Sequence, residues 1–344
     1  MQLKYRADID GLRAIAVVSV VVFHVSQSIL NGGFVGVDVF FVISGYLITL
    51  GILEGMDRGA FTLGGFYANR CRRIAPAYLV TLAVVTIGVV LVGYPAETKG
   101  YGGSLIAAIF SVSNIYFWLT TNYFALAAEE LPLLHTWSLA VEEQFYLFFP
   151  LILAWSLKRG RRPAIITLAA IFLLSLASSA LLVHIWPVGT FYSLPTRAWE
   201  LLLGSLLAME CRWRASHGFR PTPAVVSLIA VAGLLCMGYA IYFFNSNMAF
   251  PGLAAALPCL GAGAVIYAGS VAATPVSRLL SLAPMRFVGK ISYSLYLWHW
   301  PILVFQKIAP FIPGSESKIV ARGGVIALSF VAAALSWRFI EQPT

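Results

Sequence analysis

Charge is scarce in this sequence. Asp, Glu, Lys and Arg together make up 11% of the residues, against about 25% in an ordinary soluble domain. Hydrophobic residues make up 60%, and a water-soluble core cannot absorb that much apolar side chain without leaving large sticky patches outside. Alternation of apolar and polar residues is also missing from the apolar runs, which excludes an outer-membrane barrel. The four cysteines, Cys71, Cys211, Cys236 and Cys259, have neither zinc-ligand spacing nor a paired pattern. No metal site is expected and the cysteines carry no assigned role. Inverted repeats of the transporter kind are absent, as are low-complexity linkers, so 1–344 reads as a single membrane domain. No cleavable leader is expected, because the first apolar run, 11–30, is too long for a signal peptide and no small-residue cleavage site follows it.

Long apolar runs are what the sequence has. They fall at 11–30, 35–54, 77–94, 102–120, 138–157, 164–184, 196–210, 223–244, 251–269, 291–308 and 320–340. Several approach the roughly 20 residues that cross a hydrocarbon core as a helix. The net charge of +9 fits basic residues that hold cytoplasmic loops in place better than it fits nucleic acid. The basic clusters are Lys4/Arg6/Arg13, Arg58/Arg70/Arg72/Arg73, Lys158/Arg159/Arg161/Arg162, Arg212/Arg214/Arg220 and Arg278/Arg286/Lys290. If all are cytoplasmic, an even number of crossings separates consecutive clusters. The rule fails only between Arg73 and Lys158, where three apolar segments lie. The weakest of these, 102–120, contains Gly102, Gly103, Ser111, Ser113 and Asn114, and reads as re-entrant or packed along the outer interface. The expected fold is an all-α polytopic membrane bundle of about ten spanning helices plus this segment, with both termini cytoplasmic. Lys99, Lys307, Lys318 and Arg322 then fall near the outer surface, while Arg197 is buried near a helix start.

Ionisable residues inside such helices cost at least ~2.5–3.5 kcal/mol at the membrane centre and ask for a reason. Arg13 and His24 lie eleven residues apart, about 20° beyond three full turns, so they share one helix face roughly 16 Å apart in depth. Arg13 as a snorkelling anchor and His24 as a helix–helix hydrogen bond are the plain readings. Together they look like a lined path. The run from His135 to Tyr146 includes Ser138, Glu142 and Glu143. Adjacent carboxylates point about 100° apart, so at least one faces the bundle interior, although a helix start also favours acidic residues. Arg197 and Glu200 form an i,i+3 pair that can be purely structural. Asp38, Tyr296 and His299 are further candidates for contact with substrate. By depth, Arg13, Glu54, Arg70, Arg72, Arg73 and Lys290 form an inner set, suited to phosphate through guanidinium forks. Asp38, His135, Glu142, Glu143, Arg197 and Glu200 form an outer set, with His24 and His299 between. A histidine beside a carboxylate suits general-base activation of a hydroxyl.

These residues resemble the acyltransferase 3 family. Asp10-Gly11-Leu12-Arg13 with His24 is similar to its arginine–histidine signature, and Gly36 to Ile48 to its second helix. Arg70 and Arg73 match its arginine-pair loop, and His135 to Tyr146 its Trp-Ser-Leu region. Gly289 to His299 and Trp337/Glu341/Pro343 also fit. The resemblance implies a ten-helix bacterial inner-membrane O-acetyltransferase. Such an enzyme takes acetyl from cytoplasmic acetyl-CoA and places it on an extracytoplasmic glycan or lipid-linked sugar. O-antigen, exopolysaccharide and peptidoglycan precursor are the candidate acceptors. Arg13 and His24 are implied in catalysis, and Arg70 and Arg73 in donor handling, with Arg72 and Lys290 beside them. Some relatives carry an extracytoplasmic hydrolase-like domain after such a core. None is expected within these residues.

On this reading Glu142 or Glu143 orients His24, which accepts the acceptor's proton or briefly carries the acyl group. Arg197 or a tyrosine hydroxyl holds the oxyanion, with Asp38, His135, Ser138, Glu200, Tyr296 and His299 as further substrate contacts. The alternative is a proton-coupled transporter or flippase, in which the same buried charges act as a relay.

Overall fold

The computed structural model describes residues 5–92, 95–121, 123–124, 126–217 and 221–343. Lys4 and Arg220, two of the predicted topology anchors, lie outside these residues, as does the side chain of Lys99. Among the described residues the chain is helical and without strands. In lipid every backbone N–H and C=O must be satisfied within its own segment, and apolar runs of this length do so as helices. The first part comprises α1 (Ala7–Val25), α2 (Gly36–Asp57), α3 (Leu63–Val92), α4 (Pro95–Ile109) and α5 (Ser113–Thr120). The middle comprises α6 (Thr136–Leu157), α7 (Arg161–Leu182), α8 (Pro187–Tyr192), α9 (Leu194–His217) and α10 (Pro223–Phe243). The last part is α11 (Ala256–Val271), α12 (Pro275–Leu280), α13 (Ala283–Lys290), α14 (Ser292–Ile308) and α15 (Lys318–Ser336).

Every predicted apolar segment coincides with a helix, except 102–120, which is split between α4 and α5. Five segments are long and apolar enough to cross a membrane: Gly33–Asp57, Leu63–Val92, Arg161–Leu182, Pro223–Phe243 and Lys318–Glu341. The first is the axis of the bundle, with 78% of its most apolar stretch buried against 17–33% for the other four. Those four present large apolar side chains outward, among them Leu91, Leu181 and Ile319, as lipid-facing helices do. This is the architecture of a multi-pass membrane protein. Helices α1, α6, α9 and α14 carry most of the candidate site residues and fall outside the set of five. Several of their polar residues, among them Ser138, Arg197, Glu200 and His299, are buried inside the bundle.

Two features position the site. First, α2 and α9 touch backbone to backbone. A Cβ added at Gly45 would lie 1.8 Å from Leu201 O, and one at Gly204 would lie 2.0 Å from Val42 O. Small residues at a membrane helix crossing allow this approach, and it sets Asp38 of α2 opposite Arg197 of α9. Second, the break between α4 and α5 is held by protein amides. Ser111 has a φ of 55°, and its carbonyl accepts from Gln144 Nε2 of α6 at 2.9 Å. Gln144 also donates to Asn114 Oδ1 at 2.8 Å, and Asn114 donates to Tyr192 O at 3.1 Å. The irregular backbone expected at 102–120 therefore faces polar side chains, the condition for such backbone at membrane depth.

Candidate active site

Helices α1, α2, α3, α6 and α14 enclose a cavity of about 110 Å³. Arg13, Arg70 and Arg73 line it, facing Glu142 and Glu143. The Arg70 guanidinium lies over the Tyr146 ring at 4.7 Å, a cation–π contact. Tyr146 in turn donates to Glu142 Oε2 at 3.3 Å and shares a hydrogen bond with Ser44. Phe40, Phe41, Ile43 and Leu139 supply apolar wall. The result is a narrow, mostly apolar channel with guanidinium groups along it.

The channel ends at Ser138 and Tyr296. Tyr296 Oη lies 2.9 Å from His135 O and 2.6 Å from Ser138 Oγ. A carbonyl only accepts, so Tyr296 donates to His135 O and Ser138 donates to Tyr296. His135 itself is buried, and neither ring nitrogen has a hydrogen-bond partner. Its ring centre lies 5.7 Å from that of Tyr296 and 6.2 Å from that of His299. An unsatisfied buried polar group costs about 1–3 kcal/mol, and here it lies beside the wall formed by Ser138 and Tyr296.

Beyond the wall lies His24. His299 Nδ1 is 3.1 Å from Leu295 O, so that nitrogen carries its proton and Nε2 is left to accept. His24 Nδ1 is 2.9 Å from His299 Nε2, so His24 Nδ1 carries the proton of that bond. The lone pair of His24 is therefore on Nε2, which accepts from Tyr123 Oη at 2.8 Å. A single carbonyl at the end of the chain thus fixes both tautomers. The two imidazoles are nearly parallel, 7° apart, with centres 5.2 Å apart, and the Trp300 indole meets His24 edge-on at 4.6 Å. A second cavity of about 30 Å³ adjoins His24, lined also by Gln27, Phe124, Glu129 and Lys307. Lys307 pairs with Glu129 at 2.6 Å across its mouth. The two cavities share no lining residue.

Arg197 occupies a third, closed place. It is 1% exposed, 3.1 Å from Asp38 and 3.3 Å from Glu200. Rings of Phe41, Trp137, Phe191 and Phe250 surround the guanidinium at 5.4–5.7 Å. The Cys259 sulfur lies within 4.8 Å of the facing carboxylate oxygens of Asp38 and Glu200, so a cysteine to which the sequence assigned no role borders this network. The cationic place in the cluster is filled by Arg197 itself.

The structure thus regroups the predicted residues. Arg13, Arg70, Arg73, Glu142, Glu143, Ser138 and Tyr296 share one cavity, while His24 and His299 bond to each other elsewhere. Neither Glu142 nor Glu143 orients His24. Both lie about two turns inside α6, roughly 9–11 Å from its start, at the level of Arg13. Arg197 is not directed at a reacting oxygen, because two carboxylates hold it. Arg72 and Lys290 are exposed and line neither cavity; Lys290 lies 6.0 Å from the Tyr5 ring. Sequence reasoning missed Tyr123 and Trp300 beside His24, and Tyr146 over Arg70. Tyr123 and Phe124 are adjacent aromatics in an otherwise mixed loop, a signal that was open to reading. The partners of Tyr146 depend on how α2, α3 and α6 pack.

Comparison with known proteins identifies the family. Residues 6–339 match the acyltransferase domain of the acyltransferase 3 family. The peptidoglycan O-acetyltransferase OatA of Listeria monocytogenes is 35% identical over 350 residues, covering 99% of this chain and 56% of that protein. The O-acetyltransferase OatA of Staphylococcus aureus is 35% identical over 361 residues, covering 99% and 57%. A putative O-acetyltransferase of another S. aureus strain is 34% identical, covering 99% and 58%. The chain spans about half the length of the curated relatives it matches. No solved structure matches it significantly. With a family match that runs through α1 to the end of α15, the chain belongs to the acyltransferase 3 family.

Proposed function

We propose that the chain is the membrane part of an O-acetyltransferase that passes acetyl from cytoplasmic acetyl-CoA to a hydroxyl on the opposite side. The observation that carries this reading is the pair of cavities along α1, one holding three arginines and the other holding a histidine with its lone pair fixed. In this reading the arginine end faces the cytoplasm, about ten helices span the bacterial cytoplasmic membrane, and both termini are cytoplasmic. The segment 102–120 packs at the outer side without crossing.

Arg70, Arg73 and Arg13 hold the donor phosphates. The acyl arm runs past Glu142 and Tyr146 and opens the Ser138–Tyr296 wall. The acceptor hydroxyl takes the place of Tyr123 Oη at His24 Nε2, and His24 removes its proton as the oxygen attacks the thioester carbonyl. His299 keeps His24 in the tautomer that leaves Nε2 free, and His135 offers a ring N–H to the developing oxyanion. The carbon–sulfur bond then breaks, the thiolate takes up the proton held by His24, and the acetyl ester leaves. The relatives' printed names favour a glycan acceptor, peptidoglycan in the Listeria protein. The test is His24→Ala in cells. Glycan O-acetylation is expected to vanish while the protein remains in the membrane at wild-type level. Retained acetylation overturns the assignment.

A further inference from the structure

The arginine channel does not end at the arginines. Beyond them lies a wider cleft of about 330 Å³ that shares Leu47, Arg70 and Arg73 with the channel. It is built by the end of α2, the turn after it and the start of α3. Backbone bonds from Ala60 N and Phe61 N to Gly55 O, at 2.9 and 3.0 Å, fold this turn back against α2. The fold-back brings Phe61 beside Phe66, with ring centres 6.4 Å apart. Asn69 adds an amide with both donors and an acceptor. Gly51 leaves bare backbone on the α2 side: a Cβ built there meets no other atom within 4 Å. Channel and cleft together follow α2 from Val37 to Gly55, about 27 Å at 1.5 Å per residue.

We infer that this cleft binds the nucleoside end of the donor: a purine lies against Phe61 and Phe66, Asn69 meets its polar edge, and Arg70 and Arg73 take the phosphates at the junction. The inference rests on the donor reading given above and extends it to residues that reading does not use. Three observations agree on the direction. The wide part carries the aromatic rings and the amide, as a flat base with a hydrogen-bonding edge requires. The arginines stand between wide and narrow parts, where the phosphates of a nucleotide conjugate fall. The narrow part, walled by Phe40, Phe41 and Leu139, suits a thin chain and excludes a base. A phospholipid headgroup would satisfy the arginines equally well, but it has no use for the amide and the paired rings.

The experiment uses the purified full chain and adenosine 3′,5′-bisphosphate as probe, with pyrophosphate as the phosphate-only control. Gly51→Leu fills the cleft from the α2 side, where the space is open, and raises helix propensity, so the variant is expected to fold. Its affinity for the bisphosphate should fall about tenfold or more, the scale of one lost base–aromatic contact, with an unchanged unfolding temperature. Phe66→Ala should fall by a similar factor, and wild type should bind pyrophosphate markedly more weakly than the bisphosphate. Wild-type affinity in both variants, or equal affinity for pyrophosphate, overturns the assignment. If acetyl-CoA still binds in that case, only the cleft assignment falls. If wild type binds no acetyl-CoA at all, the donor reading falls with it.

Discussion

The two cavities along α1 are built from different materials. The one at Arg13 is lined by side chains from five helices, carries three guanidiniums and two carboxylates, and continues into a wider cleft. The one at His24 is smaller, aromatic and shut by an ion pair. Charge lines much of the first, whereas in the second it is confined to the Glu129–Lys307 pair, beside which two imidazoles and a phenol form a one-way hydrogen-bond chain. The difference teaches a division of labour. On the proposed reading, the cations around the open channel recognise a polyanion and the single oriented lone pair moves one proton. Between them stands one hydrogen-bonded pair, Ser138 and Tyr296.

The comparison can be broken most severely through the closed Arg197 network, which lines neither cavity. Asp38→Ala leaves Arg197 buried beside a single remaining carboxylate, and a broken buried ion pair costs about 3–5 kcal/mol. Thermal unfolding in detergent should show a large drop, and both donor binding and transfer should fail together. A fully stable variant would mean that the Asp38–Arg197–Glu200 network does not help to hold α2 against α9. His299→Phe affects one side only. It removes the acceptor that fixes the tautomer of His24, and transfer should fall by about 10–100-fold with acetyl-CoA affinity unchanged. Equal loss of donor affinity would erase the division. Tyr296→Phe acts on the wall, removing the bond donated to His135 O and worth about 0.5–1.5 kcal/mol. Hydrolysis of acetyl-CoA without acceptor should rise by roughly fivefold, and a rate unchanged from wild type would show that the wall does not gate. Lys307→Ala opens the exposed ion pair at the far mouth, worth about 0.2–1 kcal/mol. Only the KM for acceptor should shift, by less than about fivefold, and the shift should disappear in high salt.

The helical, membrane-embedded character was legible because apolar runs and the scarcity of charge are properties of composition. The weak segment 102–120 was also legible, since its glycines and polar residues mark broken helix, and the break falls at Ser111 within it. The arginine group was readable because the arginines differ in kind from everything around them. What could not be read was partnership. Glu142 and His24 looked like partners because both are unusual residues in membrane helices, but depth along α6 and α14 decides the pairing. Glu142 lies level with Arg13, whereas His299 reaches His24. Likewise the i,i+3 spacing of Arg197 and Glu200 announced an ion pair, but its third member, Asp38, came from the glycine-mediated contact of α2 with α9. Backbone contact of that kind depends on tertiary packing and leaves only a glycine as its sign in the sequence.

The central claim is that donor binding and proton transfer occupy separate cavities. It is tested most directly by the acetyl-CoA affinity of two variants of the purified chain, measured side by side by calorimetry. His24→Ala should bind acetyl-CoA as wild type does, although it transfers nothing. Arg70→Ala/Arg73→Ala should bind about tenfold or more weakly, the loss of at least one charge-assisted phosphate contact. Weakened binding in the histidine variant, or undiminished binding in the arginine variant, would contradict the account.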